Sequence, residues 1–312
     1  MTRHPRHRGY VLLLTLLLLA VAAAALAGVC RAGLRQAVQA SRAQEDLQRR
    51  WGVVSCRATL LRKAPRVLDA PRPPGNAGAL SETRLSFTLG GLPITAVFGD
   101  EQAKVNLNLL HALHKQAGAD RAVRKLAQAS RSPLRVELRP LATDAEDESE
   151  EPNADHREED PADEEFPDVS FEPVFASWSQ VFPGGGPEAL VDHHGDRPSV
   201  TSDLTCWSDG MLNVRRASRQ AIETACEGFM GASHAGKLVS ARDKDPEFHL
   251  WETIDALDLP EAKRDACELL LTDESTSFSL WIITRDGRRE WYHLAVADVV
   301  AGTATEIRLF SW

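Results

Sequence analysis

Residues that could support chemistry occur at three places in the chain. Residues 193–196, His-His-Gly-Asp, are of types that bind metal ions, but no cluster of Cys, His or Glu at metal-ligand spacing accompanies them. His111 and His114 lie three residues apart and lack the catalytic glutamate of a zinc-binding helix between them. Asp100 and Glu101 could pair as acid and base, although a polar turn also requires such residues. The sequence therefore predicts a polar loop, a helix surface and a turn at these places, and no enzymatic activity.

The cysteines are too widely and irregularly spaced to form a CxxC metal knuckle. They are Cys30, Cys56, Cys206, Cys226 and Cys267. Cys30 ends an apolar segment, and the other four are compatible with two states. Buried free thiols are one of these states. A disulfide of Cys206 with Cys226 or Cys267, formed outside the cytoplasm, is the other.

The elements that must position any site begin with residues 9–30, a segment that contains no charge. At about 1.5 Å per residue it spans roughly 33 Å as a helix, which is enough to cross the hydrocarbon core of a bilayer. Arginines flank it on both sides, at Arg3, Arg6, Arg8 and Arg31. The segment is predicted to be a transmembrane helix, with the rest of the chain on one side of the membrane.

Three processing fates are compatible with this segment. It can remain as an anchor, or it can be cleaved by signal peptidase after the small residues 25–27. It can also follow a prepilin-type leader, which is short and basic and ends in glycine before the apolar run. Residues 1–9, ending in Gly9 and followed by Tyr10, fit this third pattern.

An amphipathic pattern extends the helix beyond the apolar segment. Apolar side chains between residues 31 and 63 recur every three or four positions, at Leu34, Val38, Leu47, Trp51, Val54, Ala58 and Leu61. With no proline before Pro65, one helix is predicted over residues 10–62, roughly 80 Å long at about 1.5 Å per residue. The alternative is a helix that breaks or bends at a glycine, at Gly28, Gly33 or Gly52.

Alternating apolar residues predict strands at both ends of the remaining chain. Residues 84–89 and 92–98 flank Gly90-Gly91 and predict a hairpin. Near the end of the chain, Asp286-Gly287 and the turn at 301–303 separate the strands of a three-stranded antiparallel meander. These three strands are predicted at residues 276–284, 289–300 and 305–312. A further short strand is predicted at residues 134–138.

The pattern between the hairpin and the meander is mainly helical. Helices are predicted at residues 109–129, 218–230, 234–241, 250–257 and 260–271. The first of them should turn inward Leu109, Leu110, Leu113, Ala117, Val123 and Leu126. Apolar residues also recur at helical spacing over 171–181, whereas the Pro- and Gly-rich residues 65–78 predict a loop.

Residues 143–168 form an acidic stretch with fourteen acidic residues, one basic residue and a local charge of −13. Because its like charges repel and it offers little apolar surface to bury, it is predicted to be a disordered acidic insertion. It lacks the D-x-D-x-D-G order of a calcium-binding loop. The whole chain carries −9, so the remainder carries +4. That remainder has no basic stripe for nucleic acid.

Two passages repeat one pattern where an extended segment turns into a helix. An aspartate in a polar turn, Asp100 or Asp209, precedes an apolar-Asn-apolar triplet centred on Asn106 or Asn213, and Asn108 follows the first triplet. An asparagine can accept a hydrogen bond from an unpaired backbone N–H and tolerates unusual backbone conformations. These residues are predicted to fix how the helical region leaves the sheet and to take no part in chemistry.

The order of leader, long helix, hairpin, helical insertion and meander resembles the K-type minor pseudopilins of type II secretion, general secretion pathway protein K. The resemblance covers nearly the whole chain outside the acidic stretch. Its most specific passages are residues 100–109 (DEQAKVNLNL), 204–218 and 275–280. Arg242 and Phe248 also fit the segment that links the last two.

The sequence departs from the family pattern at two positions. Arg215 stands where the family usually has a second asparagine, and Tyr10 replaces the small residue or Phe that commonly begins the mature chain. The fifth position after Gly9 is Leu14, where most pilins have a glutamate that neutralises the amine of the subunit ahead. The K-type characteristically lacks this glutamate, as the resemblance implies for a subunit with none ahead of it.

The resemblance implies an α+β fold with a long N-terminal transmembrane helix and an antiparallel-sheet pseudopilin core that carries a large inserted α-helical domain. The expected divisions are a leader at 1–9, a stem helix at 10–64, the first part of the core at 80–108, the helical insertion at 109–274 and the final meander at 275–312. It also implies calcium binding, for which the sequence assigns no ligands.

The function implied is that of a minor pseudopilin at the tip of the periplasmic pseudopilus, anchored in the inner membrane and assisting protein secretion across the outer membrane. Its expected partners are other minor pseudopilins, the major pseudopilin, prepilin peptidase, a secreted protein substrate and membrane lipid. The alternative is a single-pass membrane-anchored extracytoplasmic binding protein unrelated to a fibre.

Overall fold

A computed structural model describes most of the chain. The described residues are 8–70, 81–130, 133–141, 173–191, 199–245, 247–287 and 289–312. The predictions for most of the leader, for the acidic stretch 143–168 and for the His-His-Gly-Asp run at 193–196 lie outside these residues. The chain forms two compact units, Met1–Gly52 and Val53–Trp312.

The first unit consists of one helix, α1, which begins at Arg8 and continues to Leu60 in the second unit. The predicted continuous helix is confirmed, since Gly28, Gly33 and Gly52 all lie within α1. Its apolar segment is exposed along its length, with Tyr10 70% accessible. By length and composition, this helix could cross a membrane.

The stem continues into the second unit through two short helical pieces. A 3-10 turn, Leu61–Lys63, leads into helix α2, Ala64–Leu68. The loop predicted for residues 65–78 is therefore wrong at its start. Pro65 lies in the first turn of α2, where its missing amide hydrogen is not required and its fixed φ favours the helix.

Five strands form one antiparallel sheet in the order β1-β2-β7-β8-β9. They are β1 Glu82–Leu89, β2 Leu92–Asp100, β7 Ser277–Asp286, β8 Arg289–Val300 and β9 Thr303–Ser311. The predicted hairpin and meander are confirmed, and β2 pairs with β7 to unite them. Gly90 and Gly91 join β1 to β2 at φ values of 59° and 86°, a conformation that glycine adopts without a steric penalty.

The helical insertion lies between β2 and β7. Its described residues also contain four strands of two residues each. Its helices are α3 Leu107–Ala129, α4 Pro187–Val191, α5 Arg219–Cys226, α6 Ala232–Lys244, α7 Leu250–Asp255 and α8 Glu261–Leu270. The short strands are β3 Val105–Asn106, β4 Leu204–Thr205, β5 Leu212–Asn213 and β6 Leu271–Thr272. These observations confirm an α+β fold with an N-terminal apolar helix and a helical insertion in an antiparallel sheet.

Two local predictions within the insertion are wrong. Residues 134–138 form no strand, because their backbone bonds are scattered. The Glu137 N–H donates to the Val181 carbonyl, the Arg139 N–H to the Gln180 carbonyl and the Leu141 N–H to the Val174 carbonyl. The helical spacing over 171–181 yields only the 3-10 turn Trp178–Gln180 among the residues described there. Apolar spacing alone did not reveal that this segment packs as irregular chain.

Helix α3 contains a kink that sequence periodicity did not predict. Lys115 has φ 55° and ψ −178°, so the helical phase changes there. Ala117, predicted to face inward, is exposed, and Ala119 is buried instead. The predicted helix at 218–230 is shorter in the structure, because α5 ends at Cys226 and turns follow.

The sheet separates two hydrophobic cores because successive side chains of a strand point to opposite faces. One face carries Phe98, Phe278 and Ala297 and packs against residues 53–68 of the stem. The other carries Val97, Trp281, Val296 and their neighbours and packs against the helical insertion. The insertion leaves the sheet at the end of β2 and rejoins it at the start of β7, so these two interior strands connect the two cores.

Candidate functional site at the junction of sheet and helical insertion

Asp100 ends β2 and turns the chain out of the sheet. Its Oδ1 accepts hydrogen bonds from the backbone N–H groups of Gln102 and Ala103, both at 3.1 Å. Its Oδ2 accepts from Ser275 at 2.8 Å and from the Arg216 guanidinium at 3.1 Å. Burial raises the pKa of Asp100, while Arg216, Ser275 and the backbone oppose that shift. The four donors arranged around it are those of an ionised carboxylate.

Asn106 is the N-cap of α3. Its Oδ1 accepts from the backbone N–H groups of Asn108 at 2.8 Å and Leu109 at 3.2 Å. Its Nδ2 donates to the carbonyl and hydroxyl of Ser208, at 3.1 and 2.9 Å. One side chain therefore starts the first helix of the insertion and ties it to the second turn, about one hundred residues later.

Asn108 lies in the first turn of α3 and is 3% exposed. Its Nδ2 donates to the carbonyls of Phe175 and Cys206, both at 3.0 Å, and its Oδ1 accepts from the Phe175 N–H at 2.7 Å. The side chain thus satisfies three buried backbone groups from two distant segments that form no ladder with each other.

Asn213 forms the second turn with the same geometry. Its Oδ1 accepts from the backbone N–H groups of Arg215 at 3.0 Å and Arg216 at 3.3 Å, and its Nδ2 donates to Ser275 at 2.6 Å. Because the bond to Arg215 uses its backbone N–H, this turn does not depend on which side chain stands at position 215. Ser218, and not Asn213, is the N-cap of α5.

Asp209 connects the second turn to the sheet through Gln102. Both carboxylate oxygens of Asp209 accept from Gln102 Nε2 at 2.9 Å, and Oδ1 also accepts from the Met211 N–H. Gln102 Oε1 in turn accepts from the N–H groups of Thr276 at 2.5 Å and Ser277 at 3.3 Å, at the start of β7. Sequence reasoning missed Gln102, although it lies inside the first motif.

Each Asn-centred turn is completed by a short parallel bridge. Asn106 pairs with Thr205 in the β3–β4 bridge, and Asn213 pairs with Thr272 in the β5–β6 bridge. In both bridges the preceding pair includes a leucine from the Leu-Thr strand. The repetition noticed in the sequence therefore corresponds to a repeated local structure.

A buried group of charged side chains lies beside the first Asn-centred turn, the one that contains Asn106. Lys104 Nζ contacts Glu101 Oε1 at 2.8 Å and Glu82 Oε1 at 3.4 Å, and its side chain is 2% exposed. The Thr205 hydroxyl donates to the other oxygen of Glu101. Burial disfavours the charge of Lys104, but Glu101 and Glu82 outweigh this effect and raise the pKa of the ammonium group.

Arg216 extends the ionic contacts to the stem. It pairs with Asp100 and also with Asp69, the C-cap residue of α2. Asp69 is exposed and Asp100 is fully buried, so the guanidinium spans from solvent to the interior. Stem, sheet and insertion are therefore joined at one set of contacts.

The other candidate residues that the structure describes do not assemble with this junction into a reactive centre. His111 packs edge-on against Phe175 with ring centroids 5.6 Å apart. The exposed His114 packs its ring against Gly228. A Cβ atom added to Gly228 would lie 2.3 Å from that ring. Tyr10 is an exposed residue of α1, and Gly9 precedes it in the helix.

The cysteines of the described chain are free thiols, and all but Cys30 are buried. Burial raises the pKa of Cys267 to about 11 and also raises the pKa of Cys56. At neutral pH these groups are protonated and poor nucleophiles.

The calcium implied by the resemblance has no matching ligand set among the described residues. No group of three or more His, Cys, Asp or Glu side chains there could hold a metal ion. Where Glu82 and Glu101 approach each other, the ammonium group of Lys104 already supplies the positive charge.

We expect that replacing Asn106 and Asn213 with alanine will loosen the insertion and leave the meander paired. Each loss should cost about 0.5–2 kcal/mol, the usual range for a capping side chain. Amide hydrogen exchange of the full chain in detergent would report faster exchange in α3 and α5 than in β7–β9. Unchanged protection of both helices in the double variant would contradict a role of Asn106 as the cap of α3 and of Asn213 in the turn before α5.

No protein-family model and no curated protein matches the chain. Among solved structures, it is similar to a chain in the crystal structure of the GspK-GspI-GspJ complex from the type 2 secretion system of enterotoxigenic Escherichia coli. The two chains are 13% identical with a TM-score of 0.47, over 87% of this chain and 99% of the other. At these values the likeness does not by itself assign a family or a function.

Proposed function

We propose that this chain is a minor pseudopilin of the type II secretion system, of the K type, and acts at the tip of the periplasmic pseudopilus. The observation that carries the proposal is the helical insertion held between two Asn-centred turns, in a sheet preceded by a long apolar helix. The residues forming those turns are the ones on which the sequence resemblance depends. The proposed role is assembly and assistance to secretion, without catalysis.

The junction supports a structural role because its polar groups are engaged with one another. Asp100, Glu101 and Lys104 are 0–3% exposed, and each has partners within the fold. Such groups hold the insertion to the sheet and present no reactive atom to a substrate. Under the proposal, the second unit contacts neighbouring subunits or a secreted protein through its surface.

The stem supports assembly into a fibre. Beyond the membrane-length segment, α1 still exposes an apolar series, with Leu34 67%, Leu47 56% and Trp51 63% accessible. Polar residues separate these positions along the sequence, as in an amphipathic helix that packs against another helix. We propose that the helices of other minor pseudopilins and of the major pseudopilin cover this series.

The beginning of the chain supports the position at the tip. Under the proposal, prepilin peptidase cleaves after Gly9, and the apolar segment from Tyr10 holds the subunit in the lipid of the inner membrane before assembly. Leu14 then occupies the fifth position of the mature chain and carries no charge to pair with the amine of a subunit ahead. A subunit at the tip needs no such charge.

N-terminal sequencing and mass measurement of the protein, purified from cells that contain a prepilin peptidase, test the proposal. We expect Tyr10 as the first residue, N-methylated, and loss of this processing in a Gly9→Val variant. Gly33→Ala is the control, because Gly33 lies in α1 and a Cβ there meets no atom within 4 Å.

Two other results would contradict processing as a pseudopilin. An intact Met1 in the presence of active peptidase would favour the single-pass anchored binding protein. A chain that begins at Gly28 would instead show cleavage by signal peptidase. Both results would be compatible with the fold described above, but they would contradict a function in a pseudopilus fibre.

A further inference from the structure

The junction holds more buried acids than cations. Four carboxyl groups are buried at the junction. The Glu82 side chain is 7% exposed, and the residues Asp100, Glu101 and Asp203 are less exposed than that. Two cations lie among them. They are Lys104 and Arg216.

Both cations are committed to other partners. Lys104 pairs with Glu101 and Glu82, and Arg216 pairs with Asp100 and with the exposed Asp69. Among the described residues, no ion pair includes the fourth carboxyl group, that of Asp203, which is 6% exposed. Removing an unpaired carboxylate from water is costly, and such a group lowers that cost by binding a proton.

Asp203 occupies a position from which its charge state affects the junction. Its carbonyl accepts the Val105 N–H at 2.9 Å, next to the β3–β4 bridge. Its carboxyl group interacts with the hydroxyl of Ser218, the N-cap of α5. The charged groups whose fields reach it are Glu82 from β1 and Lys104 from the first turn.

We propose that Asp203 is a proton-binding site whose neutral form stabilises the junction, so that acidification from neutral pH stabilises the folded helical insertion. Burial raises the pKa of this carboxyl above its ordinary value of 3.8; the Ser218 hydroxyl opposes the shift, Glu82 adds to it and Lys104 opposes it. A carboxyl whose pKa is higher in the folded state contributes stability at low pH and loses it as pH rises toward the folded-state pKa. The inference does not depend on the pseudopilin assignment.

The test compares the thermal and denaturant stability of the full chain in detergent with that of Asp203→Asn between pH 4 and pH 8. The amide keeps the size of the carboxyl group and cannot ionise. We expect the folding constant of Asp203→Asn relative to the native chain to rise about tenfold per pH unit above pH 4, until the folded-state pKa is passed. A ratio that stays constant with pH would show that Asp203 is ionised throughout and would overturn the proposal.

Asp100→Asn is the matched control from the same junction. Its amide would direct N–H groups toward the Ser275 and Arg216 donors, so this variant should be less stable than the native chain throughout the pH range. If Asp203→Asn does not fold, the pKa of the Asp203 carboxyl can be measured directly by carbon-13 NMR of the native chain with labelled aspartate carboxyls. A carboxyl assigned to Asp203 through its backbone connectivities that titrates clearly above the ordinary range supports the proposal, and an Asp203 carboxyl that titrates within the ordinary range rejects it.

Discussion

Replacing Lys104 with methionine is expected to cost about 3–5 kcal/mol of folding stability, the range for removing one partner of a buried ion pair. Methionine fills much the same space, so the loss is mainly electrostatic. Glu101 and Glu82 would remain buried without the ammonium group that contacts them at 2.8 and 3.4 Å. Chemical denaturation of the full chain in detergent at pH 7 measures the effect.

Lys125 provides the control for this substitution. It pairs with Glu227 at 2.7 Å, but the two side chains are 48% and 60% exposed. Lys125→Met should therefore cost no more than about 1 kcal/mol, as is usual for a surface ion pair. Equal losses in the two variants would show that the buried pair contributes no more than an exposed one.

The pH dependence of the Lys104→Met variant gives a second check. Without the cation, the buried site carries negative charge with no adjacent ammonium group, and burial favours the neutral forms of acids. Carboxyl groups with raised pKa values bind protons on folding, so the deficit should shrink as pH falls. A deficit that is the same at pH 5 and pH 8 would indicate lost packing instead of unpaired charge.

Much of the fold follows from local sequence patterns. The hairpin and the meander alternate with period two, and the glycines between their strands mark the turns. Helix α1 continues past Gly28 and Gly33 because an isolated glycine weakens a helix by only about 1 kcal/mol relative to alanine. These elements are specified by neighbours in sequence.

The parts that were not predicted depend on distant partners. Gln102 joins Asp209 to Thr276, and Arg216 joins Asp69 to Asp100, and all four of these bonds span separations of 107 to 174 residues. Burial of Lys104 likewise requires acids from β1 and the first turn. No local periodicity marks such residues. Only their place inside a motif could have suggested them.

The short segments at 133–141 and 173–182 illustrate the same limit. Outside the 3-10 turn Trp178–Gln180, their backbone groups are satisfied by isolated bonds to each other and to the side chains of Asn108 and Gln180. A strand prediction from alternation assumes a partner strand, and a helix prediction from spacing assumes bonds within the segment. Here side chains, among them Asn108 from α3, supply some of the bonds that a ladder or a helix would provide.

Asn108→Leu is therefore expected to destabilise the helical insertion strongly. Leucine is similar in size but cannot bond the Phe175 N–H, the Phe175 carbonyl or the Cys206 carbonyl, which the native side chain satisfies at 2.7–3.0 Å. Each buried polar group left unpaired costs about 1–3 kcal/mol, so the total should exceed that of either capping asparagine. Denaturation of the full chain and exchange of the Phe175 amide measure the loss globally and locally.

Gln116→Leu on the same helix is the matched control. Gln116 is exposed and makes one long contact, 3.4 Å, with the Leu138 carbonyl, so its replacement should change stability by less than about 0.5 kcal/mol. If Asn108→Leu proves as mild as this control, with the Phe175 amide still protected, water or another side chain must satisfy those groups. The asparagine would then be unnecessary for holding the irregular segments against α3.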